Sequence, residues 1–157
     1  MKGLNLKRLA RLSPALWPGL PAAYWWLVWA WWHAIRTGGR QLTSPAPRGR
    51  RPSPPEEQWL LQRVRLVRLA ARYPVPWARC LQQSLALQKW LAQDGVETRL
   101  CLGVRKEGKS LKAHAWLEYQ GRVLNDAPWV ASYYLPLTPA RSPSGPRPSD
   151  KAKEPGP

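Results

Sequence analysis

Eighteen prolines divide this 157-residue chain into what can fold regularly and what cannot. They crowd into 14–21, 45–55, 74–76 and the stretch from 136 onward. Proline fixes φ and has no N–H to give to a helix or ladder. Long elements must therefore lie between these clusters. Residues 37–53, rich in Pro, Gly and Arg, read as an extended linker. Residues 136–157 have no apolar periodicity and read as a disordered tail. What remains is a basic, Trp-rich segment over 1–36 and a foldable core of about 84 residues, 54–135 with its lead-in. A core that small is marginal without help from the N-terminal segment or a partner.

The charge is equally uneven. Residues 1–51 carry nine Lys/Arg and no acid, whereas 52–135 carry twelve basic and seven acidic residues. Such a bias suits an anionic partner, or simply a chain that uses Arg for solubility. No zinc-finger spacing or other nucleic-acid motif accompanies it, so no nucleic-acid partner is expected. Two Cys and two His without close pairing make a structural zinc site or a disulfide framework poor explanations, and no cofactor is implied. Reduced thiols in a cytosol fit better.

Ala22 to Ile35 is an apolar run of mostly Ala and Trp, about 14 residues, short of the ~20 that span a bilayer. Trp is a poor filler for a secretory signal core and no small-x-small site follows. Two roles remain. Trp favours the membrane–water boundary, and Lys2, Lys7, Arg8 and Arg11 could meet anionic lipid, which would put the chain on the inner face of a membrane. Alternatively the helix packs on the rest of the domain or on a partner.

The core reads as two helices and an antiparallel sheet. Glu57 to Arg72 has Leu60, Leu61, Val64, Val67 and Ala71 on one side, with its arginines reading as a solvated face. Pro74 and Pro76 break that helix, and the next runs from about Cys80 to Gln93, ended by Asp94-Gly95. Residues 97–104 alternate as a strand; 111–119 and 122–126 form a hairpin around Gly121.

Within this frame Cys80, His114 and Asp126 are the candidate catalytic residues. Cys80 opens a helix, where the macrodipole stabilises a developing anion, and Arg79 adds positive charge. A thiol, an imidazole and a carboxylate are the parts of a cysteine nucleophile, its base and the group that orients that base. Cys101 sits in mid-strand and reads as a small packed residue. The Cys80 N–H is a candidate oxyanion donor, with Trp77 or Gln82 adding a side-chain donor. Trp116, two residues past His114, either walls the site or belongs to the core.

Register tests the arrangement. If Gln120-Gly121 is a two-residue loop, His114 faces Ala127 and Asp126 falls on the other face. If the loop is Tyr119-Gln120-Gly121, His114 lies opposite Asp126 with Cβ atoms about 5 Å apart. The catalytic reading requires the three-residue loop, or a bulge that compensates for the shorter one.

Four pieces in order resemble a known family: Cys80-Leu81 before an Ala/Leu-rich helix, Leu102-Gly103-Val104, His114-Ala-Trp-Leu-Glu118, and Gly121-Arg-Val-Leu-Asn-Asp126. Over roughly 55–130 the chain resembles the transglutaminase-like leader peptidases of lasso peptide biosynthesis, the microcin-processing protein type. The resemblance implies an α+β fold with a transglutaminase-like, papain-like cysteine protease core, helices packed on a small antiparallel sheet. It implies removal of the leader from a ribosomally made precursor peptide, with Cys80, His114 and Asp126 as the triad. With no room for a leader-binding domain, the chain resembles the split form, whose partners would be a separate leader-recognition protein and an ATP-dependent lasso cyclase. An acyltransferase of transglutaminase type and a non-catalytic adaptor at a membrane surface are the competing readings.

Overall fold

The computed structural model describes residues 18–37, 47, 49, 53–72 and 78–137. The Lys/Arg-bearing start of the chain, most of the linker, Trp77 and the tail beyond Leu137 lie outside the described residues.

Three helices form one layer. Helix α1 spans Leu20–Thr37, α2 Glu57–Arg72 and α3 Cys80–Gln93. The last two keep the bounds that periodicity assigns them. Helix α3 stops because Gly95 takes φ +75° and closes a two-bond Schellman end, Val96 N–H to Leu91 O at 2.9 Å and Gly95 N–H to Ala92 O at 3.2 Å.

Helix α1 uses its small residues to come close. Ala23, Leu27 and Ala30, at i, i+4 and i+7, are fully buried and share one core with Leu60, Val64, Leu66, Val67, Leu87 and Leu91. Packing on the domain is therefore the role its inner face serves. Most of the Trp-rich outer face stays exposed. No helix among the described residues is long and apolar enough to cross a membrane.

The second layer is a four-stranded antiparallel sheet in the order β3-β2-β1-β4, made of β1 Arg99–Glu107, β2 Ser110–Tyr119, β3 Arg122–Val123 and β4 Leu135–Pro136. A one-turn helix α4, Val130–Tyr133, leads into β4. The molecule is thus α+β, as expected. Pro136, assigned to the tail by composition, instead pairs with Gly103, and Leu137 N–H donates to Leu102 O at 2.8 Å. Proline is tolerated there because β4 is an edge strand whose outer side needs no donor.

The sheet has two unlike faces. Leu100 and Leu117 join the helical core. On the other face Cys101, Trp116 and Val130 form a small separate cluster with Val123 and Tyr134 against it. Gly103 makes that cluster possible: a Cβ there would lie 2.6 Å from Tyr134 Cβ and 3.0 Å from the Trp116 ring.

The hairpin corrects the register expectation. Tyr119 pairs with Arg122 and Glu118 with Val123, so the loop is the two-residue Gln120-Gly121. Both residues adopt positive φ, +50° and +78°, the left-handed pair that lets a two-residue turn match the strands' own twist. The three-residue alternative would have needed the left-handed state only at glycine. Gln120 takes it as well, so the shorter loop forms.

Candidate active site

The two-residue register ought to separate His114 from Asp126. It does not, because β3 stops early. Leu124 N–H still donates to Leu117 O at 2.8 Å, but the return bond of that pair is not main chain to main chain. Leu117 N–H donates instead to the Asn125 side chain, Oδ1, at 2.6 Å. The chain bends away over 124–126. That departure is the compensation the register demanded, and it brings Asp126 back to His114.

His114 Nε2 lies 2.6 Å from Asp126 Oδ2. A carboxylate only accepts, so Nε2 carries the proton and Nδ1 is left with its lone pair. The second carboxylate oxygen, Oδ1, accepts the Ala127 N–H at 2.7 Å. The imidazole is held from a second side by Tyr134, whose ring stacks on it at 5.1 Å and 27°. Imidazole and carboxylate remain 23% and 31% exposed, open enough for a substrate to reach the ring.

Asn125 ties these parts to α3. Its Nδ2 donates to Ser84 Oγ at 2.9 Å, and Ser84 Oγ donates to Ala115 O at 3.2 Å. Ala115 is the residue of β2 whose carbonyl would have met β3 had that strand continued. Ser84, fully buried, fills the vacated place. Arg68 of α2 completes the clasp by donating to Asn125 O at 2.8 Å. Arg63 is likewise engaged, with Asp94 at 3.4 Å and its guanidinium 4.5 Å from the Trp59 and Trp90 rings. The arginines of α2 are thus not all a solvated face.

Cys80 stands about one turn before Ser84 on the same side of α3, about 6 Å back along the axis. The Ser84–Ala115 bond ties α3 to β2, and Cys80 opens that helix. Cys80 is half-buried and its thiol is free. No hydrogen bond joins it to His114 among the described residues. First-turn N–H groups of a helix lack intrahelical acceptors, so Cys80 N–H remains available as a donor.

The accessory residues divide. Gln82 Oε1 accepts the Arg79 N–H at 3.1 Å, the reciprocal half of a capping box, which fixes the amide at the first turn and leaves Nε2 as its donor. Trp116 is buried, and its only donor, Nε1, already bonds Glu118 Oε1 at 3.1 Å. It supports the floor under His114, with ring centroids 6.4 Å apart, and has no donor left for an oxyanion. Trp77 lies outside the described residues.

Sequence reasoning overlooked Asn125, Ser84 and Tyr134. Asn125 adjoins Asp126 in the quoted motif and is the best signal of the three. A Ser inside an apolar helical stripe was visible too, without its partner.

An α+β domain with a thiol at a helix start, an imidazole on the adjoining strand and its carboxylate partner in the bend after the next strand has a transglutaminase-like architecture. A family model described as the transglutaminase-like superfamily matches residues 22–139, and the chain belongs to that superfamily. The match begins within α1, so the Trp-rich helix lies inside the family's domain. No curated protein and no solved structure matches the chain.

Proposed function

We propose that this chain is a cysteine peptidase that removes the leader from a ribosomally synthesised lasso peptide precursor. The superfamily to which it belongs includes cysteine peptidases and acyltransferases. The observation that carries the reading is the 2.6 Å His114–Asp126 contact through Nε2, which leaves Nδ1 free to act as a base for the Cys80 thiol at the start of α3. The lasso assignment rests on the four-part motif resemblance.

In the proposed reaction, Nδ1 of His114 takes the Cys80 thiol proton as Sγ bonds to the scissile carbonyl carbon. Cys80 N–H and Gln82 Nε2 are the candidate donors to the resulting oxyanion. Collapse breaks the C–N bond, and the imidazolium returns its proton to the departing amine of the core peptide. The leader is left as a thioester on Cys80. Water then adds to that carbonyl, giving its proton to Nδ1, and the thiol is reformed as the leader carboxylate leaves. Asp126 holds the ring and stabilises its charged form throughout. Substrate capture falls to a separate leader-recognition protein, and the freed amine passes to an ATP-dependent macrolactam cyclase. The site would be cytosolic.

The test is incubation with a lasso precursor peptide and a leader-recognition protein, followed by mass measurement. Two fragments whose masses sum to the precursor plus one water are expected, and Cys80→Ala should give none while keeping its circular dichroism. Cleavage that persists in that variant would reject the assignment. A product carrying an amide-linked amine would instead favour the transglutaminase-type acyltransferase.

A further inference from the structure

Helix α1 is apolar on both sides. Its inner stripe, Ala23, Leu27 and Ala30, is buried in the core. Directly opposite lie Trp25, Val28, Trp32 and Ile35, at i, i+3, i+7 and i+10, with Trp31 beside them. Trp25 is 68% exposed, Ile35 60%, Trp32 49% and Val28 48%. A surface helix ordinarily turns charged residues outward. Here the outward stripe contains none until Arg36, whose guanidinium sits 4.1 Å over the Trp32 ring. An exposed apolar face this continuous marks a docking surface.

Two further features select the occupant. The stripe is convex and built on indoles, the side chains that prefer the headgroup boundary, rather than being a groove shaped for a partner helix. The chain around it, 1–51, carries nine Lys/Arg and not one carboxylate, so both flanks of the helix are cationic. We propose that the outer face of α1 seats the protein on an anionic lipid bilayer, with Trp25, Trp32 and Ile35 entering the headgroup boundary. The protein would lie on the membrane and not span it, since no described helix is long and apolar enough to cross. The inference is independent of the peptidase reading.

Co-sedimentation of the full chain with vesicles tests it. Binding to phosphatidylglycerol/phosphatidylcholine vesicles should be about tenfold or more tighter than to phosphatidylcholine alone, and should weaken as salt rises. Trp25→Ser with Trp32→Ser should lower partition by about tenfold, with helical circular dichroism unchanged. A second variant, Lys2, Lys7, Arg8 and Arg11 all to Gln, leaves the described helices untouched and should reduce binding to anionic vesicles only. Cys80→Ala should bind like the unaltered chain. The proposal is overturned if the unaltered chain does not sediment with anionic vesicles, or if the double Trp variant binds as well as it does. It is equally overturned if the stripe instead mediates a dimer or a complex with the recognition protein that the Trp substitutions dissolve while vesicle binding is absent.

Discussion

The two cysteines occupy opposite kinds of environment, only a short distance apart in sequence. Cys80 is half-buried at the first turn of α3, where backbone N–H groups point outward. Cys101 is buried on the sheet face that also carries His114, paired across from Trp116. Burial, and then the neighbouring Glu118 carboxylate, push the Cys101 thiol up to about 12, against the smaller opposing pull of Arg99. The same element that makes one thiol useful is missing around the other. The chemistry proposed for Cys80 needs a helix end beside the His114 imidazole; inertness at Cys101 follows from a closed apolar cluster with a carboxylate beside it.

The largest effect expected from this contrast is on turnover. Asp126→Asn keeps the shape of the side chain but lets it donate as well as accept, so the imidazole tautomer is no longer imposed. Peptide cleavage should fall on the order of 10⁴-fold, with the melting temperature little changed. Cys101→Ala, by contrast, should leave cleavage within about threefold of the unaltered rate, because it removes only a sulfur from the cluster beneath Trp116 and Tyr134 and no group assigned to the reaction. Equal losses in the two variants, read from single-turnover cleavage rates, would erase the distinction.

Alkylation comes next in size. At pH 8 a thiol with a pKa near 12 is about 10⁻⁴ thiolate, and thiolate is the form that reacts. Iodoacetamide should therefore modify Cys80 alone in the native protein and both cysteines in denaturant, with the sites assigned by peptide mass. Native modification of Cys101 at a comparable rate would show that its cluster opens readily.

How much of this was readable in advance follows from what each feature depends on. The bounds of α2 and α3 are legible because capping residues, Pro and Gly mark them locally. The candidate nucleophile's position at a helix start is legible for the same reason. The turn stays open in the sequence because two loops differing only in the backbone state of Gln120 fit the same residues, and a left-handed Gln is not the default. The route from Asp126 to His114 was invisible for a deeper reason. It requires Asn125 to replace a main-chain ladder bond with a side-chain one, and its value depends on Ser84, forty-one residues away. Pro136 and Leu137 read as tail because β4 is too short to carry a period.

That clasp gives the smallest effect, and the one that most sharpens the comparison. Asn125→Ala removes the acceptor for Leu117 N–H and the donor to Ser84 Oγ together. The former is a partly buried main-chain donor left without its partner, so a stability loss of about 1–3 kcal/mol is expected from denaturant melts. Ser84→Ala removes only the second link and the bond to Ala115, and should cost less. If Asn125 merely stabilises the fold, cleavage per folded molecule will be unchanged. If it sets the distance between the nucleophile's helix and the His114–Asp126 pair, cleavage will fall while substrate affinity holds, because α3 would then shift relative to the edge it abuts. Cys101 should register neither change, as its cluster shares no hydrogen bond with Asn125.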